Sequence, residues 1–391
     1  MVKLTGSNRE RSGKMNRTVE TLFNLIRYEI FGGEYSGELS ELADDRFVAS
    51  VCSLAEHHDV THLVADAIGR LSVVVPNEKL ANAIAKEQLK AIFRSERIDG
   101  ELEALCTLFE TEKIEYLPLK GAVIRELYPE KWMRTSCDID ILVRKNDLER
   151  AGKAVVEKLG YAYRGTGDHD VGYTSPSGIH FELHFALNDD GRGLKIFENV
   201  WKYTHSKVEG EFRRYMNDDM FYLYHVAHMA KHVENGGCGI KPFLDLCFIE
   251  RNGDLLKKNG MELFDAAARK LSAVWFLGGE ADDLSREFAD YVLRAGVYGN
   301  VNNAVAVGQV KRGGRVRYIM SRVFLPYNQI KYQYPVLQKH RWLVPIYQVR
   351  RWFRLIFKGG VKRSANEFKV NAEMPRGQSE SIFALFGKLG I

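Results

Sequence analysis

Hydrophobic and polar positions follow two different rhythms along this chain. Between Thr18 and Phe31, Leu22, Leu25, Ile26 and Ile30 recur at helical spacing, and Asn82 to Phe109 repeats that period over a charged opposite face. The pattern predicts a helical region over 17–112, behind a polar and flexible start at 1–16. At Ile114 the rhythm shortens. YLPLKG reads as a strand entering a glycine turn, Ala122 to Leu127 as a short helix, and DIDILV (138–143) as a strand. Asn146 to Leu159 reads as an amphipathic helix stopped by Gly160. GYAYRG, Asp170 to Thr174 and IHFELHFAL add strands between glycine-rich turns, so 113–192 is expected to be an α+β unit with a small mixed sheet. Helical spacing returns over 193–295. There Asn217 or Asp218 caps a helix running to Val233, Gly236-Gly237 ends it, Pro242 opens the next, and others follow near 261–272 and 281–294. Residues 296–391 read as a basic, aromatic extension. The expected fold class is therefore α+β, a small mixed-sheet core flanked by N-terminal and C-terminal helical regions.

Composition narrows the setting. The five cysteines, Cys52, Cys106, Cys137, Cys238 and Cys247, are scattered without a C-x-x-C pair, which argues against a disulfide framework or a zinc ribbon. They read as small buried apolar residues, with Cys137 in the core on the side of its strand opposite Asp138. The polar N-terminus and the lack of any run of about 18 apolar residues predict a chain that is neither secreted nor membrane-spanning. A reducing cytoplasm is the expected location, with the inner face of the membrane as an alternative. The net charge of +5 is unevenly placed: from Tyr291 to Asn366 there are 15 Lys or Arg and no Asp or Glu, which leaves the rest of the chain acidic.

The chemistry is expected where acids interrupt an apolar strand. Alternation puts Asp138 and Asp140 on one face of DIDILV and Ile139 and Ile141 on the other. Two carboxylates sharing a cleft repel each other unless cations neutralise them, and Mg²⁺ prefers one or two carboxylates together with phosphate oxygens. The pair therefore reads as a seat for Mg²⁺ or Mn²⁺ and a nucleoside triphosphate. A third carboxylate for such a site is Glu182, which shares a strand face with His180 and His184. Gly121 permits close backbone approach to a phosphate, the helix from Ala122 offers N–H groups, and Lys120 and Arg134 offer charge. His184 is expected to orient Glu182 or touch substrate, with a backbone hydrogen bond as the rival reading. His225, His228 and His232 fall on one helical face, yet the H-E-x-x-H arrangement of a zinc helix is missing.

The KG turn, R-x-x-x-D-I-D-I-L-V, the helix ending in LGY, ELH, Lys231-His232, Lys241 and LDL around Asp245 together resemble the uncharacterised nucleotidyltransferase family of the DNA-polymerase-β-like superfamily. The resemblance is strongest over 115–250. It implies a nucleotidyltransferase core, two-metal chemistry and an NTP substrate, ATP being the first expectation, with the acceptor left open. Asp138, Asp140 and Glu182 match the superfamily's metal-binding and catalytic carboxylates, and Lys120, Gly121 and Arg134 are the expected nucleotide contacts. His184, His232, Lys241 and Asp245 are candidates for the substrate side of the cleft. The turn departs from the superfamily's Gly-Gly or Gly-Ser, reading Lys120-Gly121-Ala122, so the hydroxyl that would touch a phosphate is missing there.

The basic segment admits three readings. Over 310–363 cations interleave with Trp342, Tyr347, Trp352, Phe353 and Phe357, and Val349, Trp352, Phe353 and Ile356 form one apolar face flanked by Arg350, Arg351, Arg354 and Lys358. Packing against the acidic remainder, a nucleic-acid surface and an interfacial helix on anionic lipid all fit this pattern. Beside the nucleotidyl-transfer reading stand an inactive nucleotide-binding or membrane-surface scaffold, an RNA-binding nucleotidyltransferase, and a kinase on the same fold.

Overall fold

The computed structural model describes residues 8–187, 194–250, 253–297, 299, 301–357 and 361–391. Residues 1–7, the expected boundary at 192/193, Lys358 and the side chain of Ile356 lie outside the described residues. Four helices come first: α1 (Asn8–Phe31), α2 (Asp45–His57), α3 (Thr61–Arg70) and the long α4 (Glu78–Thr111). Asp44 caps α2 and Asn77 caps α4, each accepting backbone N–H bonds on its side-chain oxygen. α1 thus begins within the stretch expected to be a flexible start.

The α+β core follows as β1 (Tyr116–Pro118), the one-turn α5 (Gly121–Ile124), β2 (Asp138–Val143), α6 (Leu148–Leu159), β3 (Ala162–Thr166), β4 (Asp170–Thr174) and β5 (His180–His184). Gly160 ends α6 in the left-handed conformation at φ 70°, which glycine adopts without steric cost. The strands form one sheet in the order β1-β2-β5-β4-β3. β2 and β5 run parallel while the other neighbours are antiparallel, so the expected mixed sheet is present. Two short paired strands, β6 (Thr204–His205) and β7 (Tyr215–Met216), lead out of it.

The remainder is helical: α7 (Asp218–Glu234), α8 (Lys241–Asp245), α9 (Asp254–Lys258), α10 (Glu262–Phe276), α11 (Asp283–Ala295), α12 (Val301–Arg312), α13 (Arg315–Val323), α14 (Tyr327–Gln333), α15 (Val336–Lys339), α16 (Val344–Phe357), α17 (Val361–Glu373) and α18 (Arg376–Leu389). Asn217 caps α7 through Met220 N–H, as expected, and Asp282 and Ser285 form a reciprocal capping box on α11. Among the described residues no helix is long and apolar enough to cross a membrane.

Two cores hold these parts together. Ile139, Ile141 and Val143 of β2 pack with Ile98, Leu102 and Leu105 of α4 and Ala151 and Val155 of α6. On the other side of β2, Leu142 joins a larger core that contains Leu22 and Leu63 from the first helices, Tyr224 and Phe243 from the middle, and Leu385 from α18. Helices before and after the sheet in sequence are therefore neighbours in space, illustrated by the stacked rings of Phe23 and Trp275 at 4.9 Å. Each fully buried Leu or Phe contributes about 1.5–3 kcal/mol. The face of β2 that carries Asp138, Asp140 and Leu142 consequently turns toward the helical body.

Cys137 is a correction. It is exposed rather than in the core, because it precedes the first paired residue of β2 and strand alternation does not yet govern it. Cys238 alone of the five is fully buried, and all are free thiols.

Candidate functional site

Strand register builds the site. The parallel pairing sets Asp138 opposite His180, Asp140 opposite Glu182 and Leu142 opposite His184, so five polar side chains from two strands share one face. Glu182 stands close to both histidines of its own strand, with His180 Nε2 at 3.3 Å and His184 Nε2 at 3.4 Å. His184, buried, also stands 2.8 Å from Asp140 Oδ1. His184 therefore lies between Asp140 and Glu182.

Charge in the cluster is divided unevenly. Burial pushes the Asp138 carboxyl up to about 6, and its neighbours Asp140 and Glu182 push it the same way. Asp140, though fully buried, is held well below the usual carboxylate range by Lys120 and His184. Glu182 is lowered mainly by its bond from His184. His184 is raised to about 9: burial opposes its charge, and the bonds to Asp140 and Glu182 outweigh burial. Lys120 Nζ lies 3.5 Å from Asp140 Oδ1 and supplies the second positive charge.

Ligand atoms of Asp140, Glu182 and His184 lie within 4.8 Å of one another, close enough to share one ion. Two hard oxygen donors suit Mg²⁺ or Mn²⁺, and an imidazole nitrogen beside them favours Mn²⁺. The donor set therefore fits a divalent cation. Asp138 stands one pleat away from this tight group, nearer the start of the strand. Asp168, His169 and Asp170 at the β3–β4 turn form a second, more open group, and the His169 ring lies 5.5 Å from that of His184.

The KG turn is arranged differently from the sequence expectation. The N–H groups of Ala122 and Val123 bond to the carbonyls of Leu119 and Lys120, so they are not aimed outward. Lys120 itself occupies φ 45°, a conformation L-residues with a side chain rarely adopt. Gly121 sits at a close approach, where a Cβ would meet Ser136 Cβ at 3.0 Å. Sequence reasoning did not single out Ser136, whose hydroxyl beside the turn donates to Asp138 O at 3.2 Å.

Arg134 and Asp245, expected on opposite sides of the cleft, are bonded to each other. Arg134 donates to both Asp245 oxygens, and Tyr128 Oη donates to Oδ1 at 2.7 Å. Lys241 reaches Asp59 and both oxygens of Thr135, so it too braces the segment leading into β2. Asp59, at φ 54°, carried no sequence signal. His232 pairs with His228, their Nε2 atoms 2.9 Å apart, while His225 faces the Pro242 carbonyl instead of joining them. A cleft of about 780 Å³ runs along α4, past Lys86, Lys90, Arg94 and Arg97, to Thr135 and Ile179, which lead into β2 and β5.

Comparison with known proteins gives one positive result, a match of residues 47–278 to the family model described as Uncharacterised nucleotidyltransferase. No curated protein and no solved structure matches the chain.

Proposed function

Because this chain belongs to the uncharacterised nucleotidyltransferase family, we propose that it transfers a nucleoside monophosphate from a nucleoside triphosphate, ATP first among them, to an acceptor hydroxyl, releasing pyrophosphate. The observation that carries this reading is the β2–β5 register, which sets Asp140 across from Glu182 with Asp138 on the same face. Three acids gathered there, offset by Lys120 and His184 with His180 beside Glu182, form a site whose repulsion a bound cation relieves.

Asp138, Asp140 and Glu182 would hold Mg²⁺ or Mn²⁺, with His184 oriented to join Asp140 and Glu182. When bound, the divalent ion supplies charge neutralisation at the α-phosphate and a lowered pKa for the attacking hydroxyl. Lys120 binds triphosphate oxygens as a point charge, and Gly121 keeps the turn free of a side chain where they approach. Arg134, held by Asp245, fixes the segment that delivers Asp138. The acceptor oxygen forms a bond to the α-phosphorus as the bond to the α–β bridging oxygen breaks, and that bonding pair leaves with pyrophosphate. The hydroxyl proton passes to Asp138, at the more open end of the strand. The cleft along α4 is the space assigned to the acceptor.

The test is incubation with α-³²P- and γ-³²P-labelled NTPs, Mg²⁺ or Mn²⁺, and cell extract. Label should move from the α position and vanish in Asp140→Ala. Transfer that survives Asp140→Ala defeats the site, and label moving from the γ position alone makes the protein a kinase.

A further inference from the structure

The helical segment after α13 turns an apolar stripe to solvent. Trp342, just ahead of α16, is 73% exposed, and along α16 Ile346 is 58%, Val349 43%, Phe353 57% and Phe357 81% exposed. Their spacing of four, three, four and four residues places all five on one side of the helix. The opposite side is occupied: Tyr347 packs on a small core of Leu325, Ile330, Tyr334 and Leu337, and Gln348 donates to Leu325 O at 2.6 Å. α16 is therefore fixed in place by one face, and the exposed stripe belongs to a folded element.

Charge says what covers it. Arg350 and Arg354 border the stripe, held over the rings of Tyr334 and Tyr347, and Arg341 lies beside Trp342 over Tyr327. No Asp or Glu occurs between Tyr291 and Asn366. An acidic protein surface would pair with the arginines but leave aliphatic Ile346 and Val349 without a partner. A nucleic-acid strand would use stacking rings, and only Trp342, Phe353 and Phe357 of the five are aromatic. A lipid surface with anionic headgroups satisfies both halves, because apolar side chains enter the acyl boundary while arginines remain among phosphates.

We propose that α16, with Trp342, is an in-plane anchor that docks this protein on an anionic lipid surface through its apolar stripe and its bordering arginines. The stripe belongs to one face of a short helix, so the attachment is peripheral and salt-sensitive. It is independent of the transfer reaction, and its failure leaves the carboxylate site untouched.

The experiment is co-sedimentation of the full chain with vesicles of phosphatidylcholine alone and of phosphatidylcholine mixed with phosphatidylglycerol. Binding should be at least about tenfold tighter to the anionic vesicles and weaken as salt rises. Phe353→Ser/Phe357→Ser, and separately Trp342→Ser, should each lower it while leaving the circular dichroism spectrum unchanged. Each of these results overturns the proposal: no preference for anionic vesicles, undiminished binding by folded variants at both sites, or a dimer in light scattering that the same substitutions split. Salt-sensitive capture of single-stranded RNA that these substitutions abolish, with vesicles ignored, overturns it in favour of a nucleic-acid face.

Discussion

Arg134 grips both carboxylate oxygens of Asp245, at 2.6 and 2.8 Å, across 111 residues of chain. Tyr128 completes the shell of Asp245, which is fully buried and held below the ordinary carboxylate range by the guanidinium. The pair ties α8 to the segment that leads into the acidic strand.

Asp245→Asn should therefore act on stability first. It leaves a buried guanidinium without its counter-charge, at a cost of about 3–5 kcal/mol. Urea unfolding measures this directly. With enough protein folded, the remaining activity should fall through kcat, because Asp138 is less firmly placed. A variant as stable as the parent, showing only a higher KM for NTP, would mean that Arg134 meets the triphosphate itself.

His184 links Asp140 to Glu182, with Nε2 2.8 Å from Asp140 Oδ1 and 3.4 Å from Glu182 Oε2. His184→Ala should weaken Mn²⁺ binding by about 10–100-fold, the usual effect of losing a group that orients metal ligands. Calorimetric titration with Mn²⁺ measures it without any nucleotide. Unchanged affinity would assign His184 to packing alone.

Much of this arrangement is written in short stretches of sequence. DIDI alternates polar with apolar, so the strand and its acidic face follow from local pattern, and the spacing of His180, Glu182 and His184 does the same for the polar face of β5. What alternation cannot carry is which strands become neighbours. The Asp140–Glu182 pairing depends on a crossover through α6 and the β3–β4 hairpin. The bond between Arg134 and Asp245 is less legible still, since each residue alone looks like a charge facing a cleft. Asp59 and Ser136 lack any distinguishing neighbourhood, and only the fold brings them to Lys241 and Gly121. Likewise, periodicity reports that the first and last helices each have an apolar face, but not that the faces meet in one core.

Stability should fall on mild acidification. His62 is wholly buried with Nε2 3.0 Å from Met133 O, and burial pushes its pKa down to about 4, with Lys241 and Arg134 acting in the same direction. His58 is likewise lowered to about 4, first by burial and then by His57. The unfolded chain takes up these protons near pH 6.5 and the folded chain only near 4, so acid favours unfolding in between. The loss from pH 6.5 to 5 is about 2 kcal/mol per histidine. Urea midpoints at pH 7.5 and 5 for the parent and His62→Gln, which keeps a donor for Met133, should show a shallower pH slope in the variant. Parallel slopes would remove His62 from the acid response.

Lys120 combines a strained backbone with a needed charge. Its φ of 45° is a conformation that glycine occupies freely, while its Nζ stands 3.5 Å from buried Asp140. Two substitutions separate these terms, because both remove the charge and only one removes the strain. Lys120→Gly should be more stable than Lys120→Met by about 1 kcal/mol. Both should lose most nucleotidyl transfer, since neither offers a cation to Asp140 or to the triphosphate. Thermal unfolding and initial rates at saturating NTP read the two quantities separately. If Lys120→Gly retained the parent's rate, the ammonium would have no part in the chemistry, and the lysine at this turn would need another explanation. If instead Lys120→Met matched Lys120→Gly in stability, the turn would carry no strain for glycine to release.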